Sequence, residues 1–423
     1  MMPVPIESFD LAAHVTPGDR IVIGQATAEP VTLTRELVRR APEIPGCNVF
    51  MGTLYSDTFL GEGADALTLD SYGAIGKAAT LAARGRLNVT PTHYSAIDRA
   101  FALGERHVDC VMLTVAPNPF GDGFNLSLSN DYTITAARRA RTVLVSVDPN
   151  APVCVGADWP HDVPIHGAVN AAVPPPEQPC VQPMDVESTI GGHVASLVPD
   201  GAVLQIGVGA IPNAVLAALR HHRDLGIHSG ALMDGIVDLA ACGAITNARK
   251  EHDTGLGVGG LLLGTRKLFD FMNGNPDFRL RPVSQTHSLS VMGGLSNFRA
   301  INSAVEVDLT GQINAETAGG NFVGAVGGQV DFVRGAAASP GGRSIIALPS
   351  TARKGTISRI VPKTATVTCA RSDADIVVTE WGVADLRGMT LPQRAERMIA
   401  IAAPEFREDL SRYWRASGGG HHA

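Results

Sequence analysis

Lysine is nearly missing from this chain, with five residues (Lys77, Lys250, Lys267, Lys354, Lys363) in 423. Arginine brings the cations only to 34 against 41 carboxylates, a formal charge of -7. That balance is the wrong sign for nucleic acid or an anionic membrane as the main partner, since both demand a basic face. No run of about 18 apolar residues occurs, so no membrane span is expected. The start, MMPVPIESFDLAAHV, carries Glu7 and Asp10 in place of a basic signal region. The six cysteines (Cys47, Cys110, Cys154, Cys180, Cys242, Cys369) form no C-x-x-C and mostly sit in apolar runs, the usage of reduced thiols in a cytoplasmic protein. No Cys/His cluster has metal-ligand spacing. The phosphate-binding pattern G-x-x-x-x-G-K-[ST] and the nucleophile elbow G-x-S-x-G are both missing, which removes P-loop enzymes and elbow-type hydrolases.

Glycine and proline, by contrast, are plentiful, at 46 and 27, as expected of many tight strand-to-helix connections. The length exceeds the roughly 250 to 300 residues at which a single core stops growing, so two domains are expected. Residues 17–30, PGDRIVIGQATAEP, read as turn, buried strand and loop before the helix pattern LTRELVRR. A strand at 47–51 opens onto a long loop bearing Tyr55, Asp57 and Glu62. LNVTPTHYS gives a short strand that runs into Pro91 and His93. VDCVMLTVAP (108–117) is the near-continuous apolar run of a strand buried on both faces. A glycine-rich hairpin, a helix and a strand at 143–147 follow. Residues 151–184, with a triple proline at 174–176, read as an extended connector, and the expected boundary divides the chain into 1–185 and 186–423. The second half restarts with the same grammar: a helix, the turn Pro199-Asp200-Gly201, a strand at 202–206, the loop Gly207-Val208-Gly209, and a helix with Pro212 in its first turn. The fold class is therefore α/β, with two related, open, mostly parallel domains.

Ligands gather where loops and helix N-termini converge at the carboxyl ends of such strands. One loop of this kind lies in LGIHSGALMDGIVDLAACGAITN (225–247), where an apolar strand meets the turn His228-Ser229-Gly230. A helix pattern follows over Leu232, Met233, Ile236, Val237, Leu239 and Ala240. GVGAIP (207–212) has the setting of a phosphate or acyl cradle but lacks the third glycine of the dinucleotide fingerprint. GLGVGG in 255–260 fits tight packing of strand against helix. GAVGGQVDFVRG (324–335) offers backbone amides suited to an anionic oxygen beside Gln329, Asp331 and Arg334. STARKGTISRIVPK concentrates Arg353, Lys354, Arg359 and Lys363 after a buried strand, a pattern that suits phosphate as well as solvated surface.

Taken together, QIGVGAIP, the 225–247 stretch, INSAVEVDLTGQINAET, GAVGGQVDFVRGA, IIALPSTARKGTISRIVP and DADIVVTEWGVADLRGMT resemble the acetyl-CoA hydrolase/transferase family of class I CoA-transferases, close to the 4-hydroxybutyrate and butyryl-CoA:acetate CoA-transferases. The resemblance spans most of the chain and is strongest from about 186 to 410. It implies acyl-CoA bound at the interface of the two halves, commonly in a homodimer. It also implies a glutamate that attacks the thioester and relays CoA through a covalent glutamyl-CoA to an acceptor carboxylate. At the position matching that glutamate stands Gly230.

Glycine has no nucleophile. Three readings stay open: acyl transfer to water or another acceptor without the covalent relay, a carboxylate CoA-transferase with a relocated carboxylate, and an acyl-CoA-binding protein without turnover. For the first, Asp234 or Glu316 is the expected general base, with the amides of Gly327 and Gly328 holding the oxyanion. Gly207, Val208, Gly209, Gln329, Arg353, Lys354 and Arg359 are the expected CoA contacts. Gly230 is expected to leave room for a larger acyl chain or acceptor, and a glutamate placed there to restore the transferase.

Overall fold

The computed structural model describes residues 2–119 and 123–418. The central residues of the glycine-rich hairpin, 120–122, lie outside them. Among the described residues, seven strands form a parallel sheet in the first half. Its order is Asn88–Val89, Thr68–Ser71, Asn48–Met51, Arg20–Ile23, Cys110–Pro117, Thr142–Val147 and Gly167–Asn170. Phe124–Asn125 adds an antiparallel pair to Cys110–Pro117. The apolar run predicted over 108–117 is thus a long interior strand, buried from Cys110 to Ala116, because both its faces are covered.

The second half contains a six-stranded sheet. Gly226–Ile227, Val203–Ile206, Phe298–Asn302, Arg343–Ala347 and Ile376–Thr379 run parallel, and Gly382–Asp385 closes it antiparallel. The shared grammar of the two halves corresponds to Arg20–Ile23 and Val203–Ile206, both interior strands that run into glycine loops and then helices (Val31–Arg40 and Ala210–Ala218). Each loop needs its glycine. A Cβ on Gly24 would come 2.4 Å from the Ala28 carbonyl oxygen, and Gly209 sits at φ +129 at the mouth of its helix.

Two expectations change. The connector 151–184 contains the strand Gly167–Asn170, at the edge of the first sheet, where its neighbouring irregular backbone is tolerated. Leu232 and Met233 are not helical: Ala231–Leu232 pairs with Leu261–Leu262, and the helix begins at Asp234. The pairing buries Leu232 against the GLGVGG strand, where a Cβ on Gly259 would come 2.4 Å from Leu232 Cγ. The glycines of that strand serve packing. No described helix is long and apolar enough to cross a membrane.

The halves are bound by more than apolar contact. One buried cluster runs from Val22, Phe50 and Tyr132 to Leu204, Ile236 and Leu261. Backbone bonds cross as well: Ala74 N–H to Gly324 O at 2.8 Å, Tyr94 N–H to Gly327 O at 2.9 Å, and Asn130 N–H to Gly260 O at 2.8 Å. At Gly73 the chains approach so closely that a Cβ would lie 2.2 Å from the Ala325 Cβ. Gly73→Val is therefore expected to lower stability by about 1–3 kcal/mol, read as a shift of the denaturant midpoint. A midpoint equal to wild type would contradict the tight docking.

Candidate functional site

The carboxyl ends of strands from both sheets meet at one cavity of about 360 Å³. From the first half come Gln25, Thr53, Tyr72 and Tyr94, each just beyond a strand or at the start of a helix. The second half supplies Gly207 and Val208, Gly230, Asn302 and Ser303, His287, Phe332 and the loop 324–329. This is where an open parallel sheet ordinarily holds its ligand.

Gln25 anchors the first wall. Its amide nitrogen donates to Tyr94 Oη at 2.6 Å and Asp131 Oδ2 at 2.7 Å, and its oxygen accepts from Thr53 N–H at 3.2 Å and Tyr72 Oη at 2.9 Å. All four hydrogen-bonding positions of the amide are filled, so the side chain is fixed. Burial raises the pKa of both Tyr72 and Tyr94, and both phenols stay protonated. The opposite wall rests on a reciprocal amide pair on adjacent strands: Gln205 Nε2 donates to Asn302 Oδ1 at 3.1 Å and Asn302 Nδ2 to Gln205 Oε1 at 3.0 Å.

The loop 324–328 is held by its carbonyls, on Ala74 N–H and Tyr94 N–H. Gly327 has φ +50, a left-handed conformation open to glycine. The amide of Gly328 finds no acceptor among the described residues, while Gly327 forms a parallel bridge with His93, and both glycines line the cavity. Gln329 follows them into the wall, with Nε2 on Ser303 O at 3.3 Å and a buried Oε1 without a partner.

The turn 228–230 divides its residues. His228 is buried, with Nε2 3.1 Å from Thr286 O. The Ser229 hydroxyl is buried too and turns to Ile206 O at 3.4 Å. Only Gly230 faces the cavity. The room expected there is filled: a Cβ on Gly230 would stand 2.9 Å from His287 Cε1 and 3.1 Å from its Nε2. His287 lies between the rings of Tyr94 and Phe332, with centroids at 4.8 and 4.6 Å. Its Nδ1 is 2.9 Å from Thr286 Oγ1. Burial, then repulsion from His228, lowers its pKa to about 3; burial, then Lys250, lowers that of His228 to about 4. Both rings are neutral.

Neither carboxylate expected to act as base is among the residues that line this cavity. Asp234 is buried and accepts from Thr265 N–H at 3.0 Å and Thr265 Oγ1 at 2.8 Å, holding the residue that caps the next helix. Glu316 accepts from Thr368 Oγ1 at 2.7 Å. Glu380, another carboxylate on a nearby loop, accepts from Ser350 N–H and Oγ. Among the described residues, no Asp, Glu or Cys lines the cavity. Gly207 and Val208 do line it, whereas Gly209 lies in a smaller neighbouring pocket. Arg353 and Lys354 are exposed at the tip of a hairpin, at φ +49 and +58. Arg359 is not free for phosphate: its guanidinium donates to Val305 O and Ala304 O, both at 2.7 Å. Lining residues that the sequence reading missed are Gln25, Tyr72, Tyr94, Asn302, His287 and Phe332. The repeat of strand and glycine loop could have pointed to Gln25, which follows Gly24 as Val208 follows Gly207. Among the described residues no three His, Cys, Asp or Glu side chains gather as a metal-holding group.

Residues 264–414 match the acetyl-CoA hydrolase/transferase C-terminal domain. The chain is 40% identical over 397 residues to the 4-hydroxybutyrate coenzyme A transferase of Clostridium kluyveri, covering 92% of each protein. It is 33% identical to the butyryl-CoA:acetate CoA-transferase of Anaerostipes caccae, covering 95% of each. The crystal structure of RipA from Yersinia pestis superposes with a TM-score of 0.91 at 35% identity, over 96% of both chains.

The two buried histidines give the fold a pH dependence. Their folded pKa values lie below the ordinary 6.5, so the unfolded chain binds protons that the folded chain refuses. Their contribution is complete above about pH 6.5 and is lost as the pH falls toward about 4 for His228 and about 3 for His287. Urea midpoints are expected to fall from about pH 7 to about pH 5, above the main carboxylate range, and to fall less steeply in His287→Phe. Equal slopes would contradict the neutral buried ring.

Proposed function

Because the chain belongs to the acetyl-CoA hydrolase/transferase family of CoA-transferases, we propose that it moves an acyl group from a CoA thioester to water or another small acceptor without a glutamyl-CoA intermediate. The observation that carries this reading is the cavity wall. It offers amides, phenols, amide side chains and one imidazole, and no described carboxylate that could form an anhydride. Acyl-CoA is the substrate in this reading. The thioester enters between the halves 1–185 and 186–423, and its carbonyl oxygen meets the amides of Gly327 and Gly328. Donors placed where the oxyanion develops stabilise the transition state far more than they would in water. Gly207 and Val208 lie along the pantetheine path, Gln329 offers its unpartnered oxygen, and Arg353 and Lys354 meet the CoA phosphates from the hairpin tip. A cytoplasmic homodimer, as is common in the family, is part of the same proposal.

A relocated nucleophile is disfavoured by the same geometry. Asp234, Glu316 and Glu380 each hold a loop or helix in place through two bonds or a buried bond. Swinging one into the cavity would leave those donors unpaired, at about 1–3 kcal/mol each.

The test is incubation with acetyl-, butyryl- and 4-hydroxybutyryl-CoA while free thiol is followed with and without acetate. Thiol release that does not depend on acetate is expected. Acetate-dependent exchange between acyl-CoAs without thiol release would contradict the reading, and so would binding with neither.

A second prediction separates the steric from the chemical role of position 230. Gly230→Glu alone is expected to gain no exchange activity, because His287 stands where the new side chain must begin. The double variant Gly230→Glu, His287→Ala is expected to gain acetate-dependent exchange. A gain in the single variant equal to that in the double would show that His287 moves aside freely.

A further inference from the structure

His287 belongs to none of the motifs from which the site was read, yet it occupies the centre of it. Its ring lies over two glycines from different segments. A Cβ on Gly328 would come 2.6 Å from His287 Nε2, and one on Gly230 would come 3.1 Å from the same atom. Both positions therefore need glycine for the imidazole to fit. Tyr94 and Phe332 fix the ring from either side, and the residue is only 7% exposed. Its Nδ1 is engaged by Thr286, while Nε2 has no hydrogen-bond partner among the described residues. Nε2 is not among the buried polar atoms left without a partner, as fits a nitrogen open to the cavity that the residue lines.

We propose that His287 is a catalytic residue, whose Nε2–H donates to the thioester carbonyl oxygen beside the amides of Gly327 and Gly328, in the space that a residue-230 side chain would otherwise take. The proposal rests on the reading of this cavity as an acyl-CoA site. The tautomer is part of the proposal. The Thr286 hydroxyl lies 2.9 Å from Nδ1 and 3.4 Å from Pro282 O; donation along the shorter contact leaves the ring hydrogen on Nε2. The charged environment agrees with a donor that stays uncharged. His228 acts on the ring by repulsion, and Asp331 and Arg334 line a separate pocket that also touches His287. An imidazole that resists protonation is a poor base but a sound neutral electrophile.

In the step itself, the oxygen of water adds to the carbonyl carbon, and negative charge develops on the carbonyl oxygen under Nε2–H and the two amides. The C–S bond then breaks, the carboxylic acid forms, and the proton lost by water ends on the CoA sulfur. His287 keeps its proton throughout and strengthens its hydrogen bond as the charge grows.

The test uses butyryl-CoA labelled with 13C at the thioester carbonyl, with wild type, His287→Phe and His287→Gln. Phenylalanine keeps the ring packing and removes the donor. Glutamine places an amide N–H near the position of Nε2. Calorimetry establishes binding, infrared spectroscopy reads the carbonyl stretch of the bound thioester, and thiol release gives kcat and KM. The expected result is a lowered carbonyl frequency in wild type that returns toward the free value in His287→Phe. The same variant should lose about 100- to 1,000-fold in kcat with KM little changed, and His287→Gln should recover most of both. Binding and kcat in His287→Phe within about twofold of wild type, with the same carbonyl frequency, would overturn the proposal while leaving the acyl-CoA reading intact. Failure of wild type to bind butyryl-, acetyl- or 4-hydroxybutyryl-CoA would overturn the reading on which it rests. If Phe proves unstable, the Gln variant decides alone: a bound carbonyl frequency equal to that in solution would overturn the role of the donor.

Discussion

The site depends on how the loop 324–328 is fastened to the first half of the chain. Two of its carbonyls accept backbone N–H groups from Ala74 and Tyr94, and Ala325 is in van der Waals contact with a glycine that has no room for a Cβ. A peptide whose carbonyls are pinned on one side presents its amides on the other. The same contact joins the two halves and orients the donors of the cavity. Stability and chemistry are therefore coupled at one place, and a loosened interface would lose both.

A second constraint lies beside the Gln25 network, where His287 packs on Tyr94. His287, Gly230 and Gly328 are sterically complementary, because the ring occupies the volume that either glycine would need for a side chain. In a site whose wall holds no described carboxylate, this arrangement accounts for why a glycine at 230 does not simply leave a void. The aromatic neighbours Tyr94 and Phe332 keep the ring from rotating away, and the low dielectric around it holds it neutral. The fixed amide of Gln25 orients Tyr94 in turn. The cavity is thus shaped by side chains that themselves have few alternatives, which is the condition for preorganised catalysis.

Much of the architecture was legible because buried parallel strands are apolar runs closed by glycine or proline. Cys110–Pro117 and Val203–Ile206 announce themselves in that way. The boundaries of short elements were less legible: Leu232 and Met233 fit a helical stripe as well as they fit the edge of a strand, and only the partner strand Leu261–Leu262 decides. For the site, the glycine loops were readable because close approach of backbone to ligand requires glycine. Side chains whose role is set by distant partners were not. Asp234 looks like a free carboxylate until Thr265 is placed beside it, and Arg359 looks like a phosphate ligand until the carbonyls of Ala304 and Val305 take its guanidinium. His287 was invisible for the same reason: 57 residues separate it from Gly230, and nothing in its own segment marks it.

The central claim is that acyl transfer here proceeds without CoA becoming attached to the protein. Its most direct test is the intact mass of the protein after brief reaction with butyryl-CoA and rapid quenching, with and without borohydride reduction. The account predicts an unchanged mass in both samples. A CoA adduct before reduction, replaced after it by the alcohol of a reduced carboxyl side chain, would contradict it.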